Sequence, residues 1–181
     1  TQARNEIKGT PGRVKFFTEN YEKILRPVEY PPASGMSEVI RYEPLGVVAN
    51  ISAWNYPWFV GANVFAPALL AGNAVLYKPS EFSSLTGLNV AALLHEAGVP
   101  QDVFQCIVGT GEAGAALLAL PLDGVFFTGS YATGAKIAQV IGPRMIRLQL
   151  ELGGKDPVYV CDDVDAKAAA EGIADGAFYN N

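Results

Sequence analysis

The chain has 181 residues, half of them hydrophobic and only 17% charged, with 13 Lys and Arg against 18 Asp and Glu for a formal charge of −5. That balance excludes a disordered, solvating chain and argues against a general nucleic-acid binder, which carries a basic patch. Two cysteines and one histidine exclude a disulfide framework and a four-ligand zinc site, and make a reducing, cytosol-like compartment the default.

The N-terminus has no apolar run of the signal-peptide kind and no initiator Met, so the chain is expected to be a processed or internal piece. From Ile7 to Leu25 apolar residues fall at Val14, Phe17, Tyr21, Ile24 and Leu25, a helical spacing. Pro27, Pro31 and Pro32 end it. Ser37–Tyr42 then alternates polar and apolar as a half-solvated strand does, and 26–44 reads as an extended arm. From Leu45 to Tyr77 no residue is charged. Asn50, Asn55, Asn63 and Asn73, with Pro57 and Pro67, divide this stretch into strand, turn, buried helix and strand rather than a membrane span.

Short apolar runs then recur. Val47–Ala53, Ala74–Tyr77, Val103–Val108, Val125–Phe127, Ile146–Leu150 and Val158–Val160 are predicted strands, most of them buried on both faces. Helices are predicted at Ser84–Ala97, Ala113–Leu120 and Ala132–Ile141. The first places Leu85, Leu88, Ala92 and Leu93 on one face and stops at Gly98 with Pro100 beyond. This rhythm predicts an α/β fold: a Rossmann-like parallel sheet with helices on both faces, whose ligands sit beyond the carboxyl ends of the strands.

Five turns at strand ends carry the chemistry. Gly109-Thr110-Gly111-Glu112-Ala113-Gly114 matches G-x-G-x-x-G between a strand and a helix; it reads as a nucleotide site or a structural turn. Phe127-Thr128-Gly129-Ser130, leading to Gly134, is a second such turn able to hold a phosphate. Lys78 and Glu81 in Lys78-Pro79-Ser80-Glu81 suit two ribose hydroxyls, or a solvated turn. In Trp54-Asn55-Tyr56-Pro57 the Asn55 amide, expected to be buried, is an oxyanion donor or a loop cap. Glu151, in Glu151-Leu152-Gly153-Gly154-Lys155, is a general base or the partner of Lys155. His95 reads as a solvated helix residue, and Cys106 and Cys161 as small core hydrophobes.

Taken together, W-N-Y-P at 54–57, K-P-S-E at 78–81, F-T-G-S at 127–130 and E-L-G-G-K at 151–155 resemble the NAD(P)-dependent aldehyde dehydrogenase superfamily. E-P-L-G-V-V at 43–48, P-A-L-L-A-G-N at 67–73 and A-F-Y-N-N at the end extend the likeness over nearly the whole chain. The resemblance implies oxidation of an aldehyde to a carboxylic acid with hydride transfer to NAD, through a thiohemiacetal on a cysteine. It implies Asn55 as the oxyanion amide and Glu151 as the general base. Lys78, Ser80 and Glu81 would lie at the adenosine ribose, and Ile51, Ser52 and Trp54 along the cofactor cleft. Gly111 would lie on the adenine side, Gly129, Ser130 and Gly134 at the diphosphate, with Leu152 completing the set. Tyr56 would line the substrate tunnel. Glu81 would repel a 2′-phosphate, favouring NAD over NADP.

The family's nucleophilic cysteine is expected a few residues past Asn181, and the first stretch of the cofactor domain is expected to precede Thr1. The chain therefore reads as an internal piece, inactive by itself. Its expected organisation is an NAD-binding domain over 1–25 and 45–152, an oligomerisation arm over 26–44, and the start of a second α/β catalytic domain over 153–181. The resemblance implies an aldehyde substrate, and the exposed arm is consistent with a homodimer or homotetramer; with the composition, the expectation is a cytoplasmic protein with no metal, nucleic acid or membrane partner. Ala53 replaces a Pro frequent in the family, and Val64 a Lys linked to proton movement. The alternative is a catalytically inactive paralogue with the same fold; retention of Glu151 argues against acyl-reductase relatives.

Overall fold

The computed structural model describes residues 2–33 and 35–179. Helix α1 (Gln2–Leu25) is followed by an antiparallel hairpin of β1 (Val28–Ala33) and β2 (Met36–Ile40). A five-stranded parallel sheet follows: β3 (Val47–Ile51), β4 (Ala74–Lys78), β5 (Phe104–Cys106), β6 (Gly124–Thr128) and β7 (Arg147–Glu151). Its crossovers are α2 (Phe59–Leu70), α3 (Ser84–Glu96), α4 (Gly111–Leu118) and α5 (Tyr131–Ile141), and α6 (Ala166–Phe178) closes the chain. The strand order β5-β4-β3-β6-β7 reverses at β3, which defines the crevice between β3 and β6 where such sheets bind ligands.

Side chains alternate across each strand, so the sheet builds two cores. On one face Val48, Val75, Tyr77 and Phe104 pack against Ala62, Phe65 and Ala66 of α2 and Val90 and Ala91 of α3, with Val14 and Phe17 of α1 alongside. On the other, Ala49, Val125 and Phe127 pack against Leu117 and Leu118 of α4 and Ile137 and Ile141 of α5. Phe65, Tyr77 and Phe104 form an aromatic trio with ring centroids 5.5–5.7 Å apart. Such pairs add about 0.5–1.5 kcal/mol beyond the area they bury. Gly61 of α2 lies against Tyr77: a Cβ there would stand 2.9 Å from the phenol oxygen, so this face closes only because the residue is glycine.

Four expectations change. The arm is a hairpin rather than a lone strand; its first strand accommodates Pro31 and Pro32 because both fall in the break of register between Tyr30 and Ala33, where no ladder donor is required. On α3 the apolar face read from the sequence points outward, with Leu85 78% exposed, while Gly87, Val90 and Ala91 are buried. Val158–Val160 is not a strand: the sheet ends at β7, no described strand pairs with this segment, and Tyr159 is 89% exposed. β7 is half-buried on one face, at Leu148 and Leu150, and leaves Arg147, Gln149 and Glu151 exposed on the other.

Candidate active site

The carboxyl ends of the sheet lie level. Ile51 shares a row with Lys78 on one side and Phe127 on the other, and Phe127 with Leu150; Thr128 faces Glu151. Beyond the strands the ladder continues one step, with the Ser52 N–H donating to the Lys78 carbonyl and the Gly129 N–H to the Glu151 carbonyl, each at 3.0 Å. Four of the five turns singled out in the sequence, those after β3, β4, β6 and β7, therefore leave one edge of one sheet.

On the α4–α5 face, the Lys78 stem crosses α4 at Gly114, where a Cβ would meet Lys78 Cε at 3.5 Å. This brings the last glycine of G-x-G-x-x-G against the K-P-S-E turn. Lys78 is 4% exposed, yet its ammonium makes a single hydrogen bond, donated to the Pro79 carbonyl at 3.3 Å. Among the described residues no carboxylate pairs with it. A buried ammonium has three donors to satisfy, so this group fits a ligand rich in hydroxyl oxygens, as a ribose is. Glu81, one turn away, is exposed and accepts only from the Ser80 hydroxyl at 3.4 Å. Ser80 caps the short turn behind it through Phe82 N–H.

Thr110 caps α4, which leaves Gly111 at its first position with open space where a Cβ would be. Ser130 caps α5, accepting from Thr133 N–H at 3.3 Å and donating to Thr133 Oγ1 at 3.0 Å. The Tyr131 and Ala132 amides have no intrahelical acceptor and so point their dipoles at the crevice. A Cβ on Gly134 would stand 2.5 Å from Leu152, so the first turn of α5 sits directly on the chain leaving β7.

The other face of the edge differs. A groove of about 600 Å³ runs between α2 and strands β6 and β7, lined by Val60, Asn63, Val64 and Pro67 on one side and Phe126, Thr128, Gln149 and Glu151 on the other. Glu151 is exposed at its end, accepts from Gln149 Nε2 at 3.5 Å and makes no ion pair with Lys155. Asn55 and Tyr56 do not line this groove. Asn55 is exposed rather than buried, because the loop turns outward between Ser52 and Pro57; the buried asparagine is Asn50, whose amide donates to the Gly61 carbonyl at 3.1 Å. Trp54 is exposed beside it, while Ser52 is buried near Tyr77, its hydroxyl without a hydrogen-bond partner. Burial pushes the Tyr77 phenol up to about 12.

A larger cavity, about 910 Å³, lies between residues 156–164 and α6. It is bounded by residues 156–164, which form no helix or strand, and its lining includes Asp156, Asp163 and Cys161. That cysteine is exposed, since its segment forms no strand, whereas Cys106 is half-buried and burial pushes its thiol up. Neither is an activated nucleophile by its surroundings. His95 is not a solvated residue: it is half-buried, with Nε2 2.8 Å from the Phe104 carbonyl.

Glu6 escaped the sequence reading. It is buried on α1, and its carboxylate accepts from Trp58 N–H at 2.7 Å and Phe59 N–H at 2.9 Å at the start of α2. Its one visible signal was position, eight and eleven residues before Val14 and Phe17 on the same helix face.

A parallel sheet whose strand order reverses at β3, with two glycine-rich turns and an under-partnered lysine on its carboxyl edge, defines a doubly wound α/β protein. The profile of the Aldehyde dehydrogenase family matches residues 1–181, and the chain belongs to that family. It is 41% identical over 186 aligned positions to aminoaldehyde dehydrogenase 2, peroxisomal, of Pisum sativum, covering 99% of this chain and 37% of that protein. It is 45% identical to betaine aldehyde dehydrogenase 2 of Rhizobium meliloti (strain 1021), over 77% of this chain and 29% of that one. Among solved structures, NAD-dependent aldehyde dehydrogenase from Sinorhizobium meliloti superposes with a TM-score of 0.92 at 36% identity, over 99% of this chain and 36% of that chain. PnpE in complex with nicotinamide adenine dinucleotide gives 0.84 at 36% identity, over 91% and 34%. The chain thus spans about a third of the length of the relatives it matches. No described helix is long and apolar enough to cross a membrane.

Proposed function

We propose that the enzyme carrying this chain oxidises an aldehyde to a carboxylic acid with NAD, and that this chain supplies the cofactor sheet, the oxyanion donor and the general base. The observation that carries the reading is the buried Lys78 ammonium, short of acceptors, at the level end of four strands. Lys78 and Glu81 hold the adenosine ribose, Ser130 and the α5 amides receive the diphosphate, and Gly111, Gly129, Gly134, Ile51, Ser52, Ser80, Trp54 and Leu152 shape the cleft. When bound, the nicotinamide accepts the hydride that the aldehyde carbon loses. Asn55, exposed and without a side-chain hydrogen bond among the described residues, donates its amide to the oxyanion that forms at that carbon. Glu151 takes a proton from the water that supplies the second carboxylate oxygen. Tyr56 borders the aldehyde's path.

The Glu81 carboxylate disfavours the extra phosphate of NADP by like-charge repulsion. Val64 in the groove beside Glu151 carries no proton, so Glu151 exchanges its proton with water directly. The names of the relatives bring aminoaldehydes and betaine aldehyde into the substrate panel. We read residues 153–181 as the start of the catalytic domain. The exposed hairpin of 28–40, with Val28, Tyr30, Met36 and Ile40 all open to solvent, is the arm through which copies pair into a dimer or tetramer. The unpaired thiols suit a reducing compartment such as the cytoplasm.

The test is NAD and NADP titration with turnover on the aldehyde panel. Glu151→Gln should slow hydrolysis by on the order of 10²-fold while leaving the Kd for NAD unchanged. Absence of NAD binding, or full turnover by that variant, would overturn the reading.

A further inference from the structure

We infer that Glu6 is a positioning residue for the Asn55 turn, an assignment that rests on the catalytic reading of Asn55 above. The hydrogen bonding shows where α2 begins electrically. Val60 N–H donates to the Tyr56 carbonyl at 2.9 Å, so the first helical ring closes on Tyr56 and Pro57 occupies the first position, where a missing N–H costs nothing. The next two amides, Trp58 and Phe59, have no acceptor inside the helix, and no side chain of the preceding loop caps them.

Glu6 supplies both from another helix. One carboxylate oxygen, Oε1, accepts from Trp58 and Phe59, and a carboxylate at a helix start is further favoured by the helix dipole. The same turn is held from the sheet side, where the Tyr77 hydroxyl donates to the Pro57 carbonyl at 3.4 Å. The Arg13 guanidinium, 4.9 Å from the Phe59 ring centroid, ties α1 to the same helix turn. Asn55 directly precedes Tyr56, the residue on which that ring closes. Among the described residues its side-chain amide has no hydrogen bond to fix it, so its placement is inherited from a turn gripped between α1 and β4. A helix fifty residues upstream in sequence thereby sets where the oxyanion donor points.

The enzyme carrying this chain, assayed with NAD and the best aldehyde of the panel, tests this by a double-mutant cycle. Glu6→Ala should lower kcat by 10- to 100-fold, on the order expected when a reacting group is displaced by about an ångström, with the Kd for NAD unchanged. Glu6→Gln, which keeps an oxygen acceptor, should restore most of that loss. In an Asn55→Ala background Glu6→Ala should have no further effect, because the group it positions is gone. Hydrogen exchange gives a readout independent of turnover: Glu6→Ala should deprotect the amides of 54–60 while the five strands stay protected. Effects that multiply in the double mutant, or unchanged exchange of 54–60, would overturn the positioning role. An Asn55→Ala enzyme of full activity would overturn the catalytic reading beneath it.

Discussion

The two edges of the parallel sheet carry the same kinds of polar side chain and use them in opposite ways. At the amino edge Asn73 accepts from Gly46 N–H at 3.1 Å and donates to the Ala68 carbonyl at 3.0 Å. Asp123 accepts from Val47 N–H at 2.8 Å, and Arg144 donates to the carbonyls of Leu118, Leu120 and Leu122 at 2.8–3.1 Å. Each ties one element's backbone to another's. At the carboxyl edge Lys78, Glu81, Ser130 and Glu151 bond only within their own segment, and Asn55 is exposed. Polar groups spent on backbone hold the fold; polar groups near a crevice with donors to spare are set up for something outside it.

Substitutions at the two edges should therefore separate stability from chemistry. The largest effect on turnover falls at Asn55→Ala, a loss of roughly 10²–10³-fold as for any oxyanion donor, with the urea midpoint unmoved. A matching loss of stability would mean that Asn55 belongs with the structural residues. Arg144→Ala is the mirror case. It removes the Arg144 donor from three carbonyls, of which, among the described residues, only that of Leu120 keeps another in the Leu122 N–H, and should cost about 2–3 kcal/mol in urea unfolding, with the Kd for NAD unchanged. Weaker NAD binding in that variant would erase the contrast between the edges.

Tyr77 sharpens it at high pH. The folded chain holds the phenol proton more tightly than the unfolded chain does, so its contribution is complete below pH 10 and is lost as the pH rises towards 12. Urea midpoints measured across that range should fall by an amount worth on the order of 2–3 kcal/mol, and Tyr77→Phe should lack this alkaline loss. The smallest effect is chemical. A thiol reagent should modify Cys161 first and Cys106 only slowly, because burial keeps the latter protonated; equal rates would mean that β5 opens readily.

Local pattern carried the fold a long way. The β-branched runs at Val47, Ala74, Val125 and Ile146, and the helix stop at Gly98, announced a parallel sheet. The turns W-N-Y-P, K-P-S-E, F-T-G-S and E-L-G-G-K announced the family, because strand ends and glycine-rich turns are written in consecutive residues. Amphipathic facing was less legible. On α3, Leu85 and Leu88 looked like the core side, yet Gly87, Val90 and Ala91 are buried. A helix crossing a sheet needs small residues at closest approach, and Pro79 lies against Gly87.

The sequence by itself determined the five parallel strands, the turns that follow them and the family, since each depends on residues within a few positions of one another. The tertiary structure alone decided that Lys78 is buried against α4, that Asn55 is exposed, that no described strand pairs with the Val158–Val160 run, and that Glu6 closes α2. Burial and partnership are relations between residues far apart in the chain, and an amide's need for an acceptor does not say which distant carboxylate will meet it.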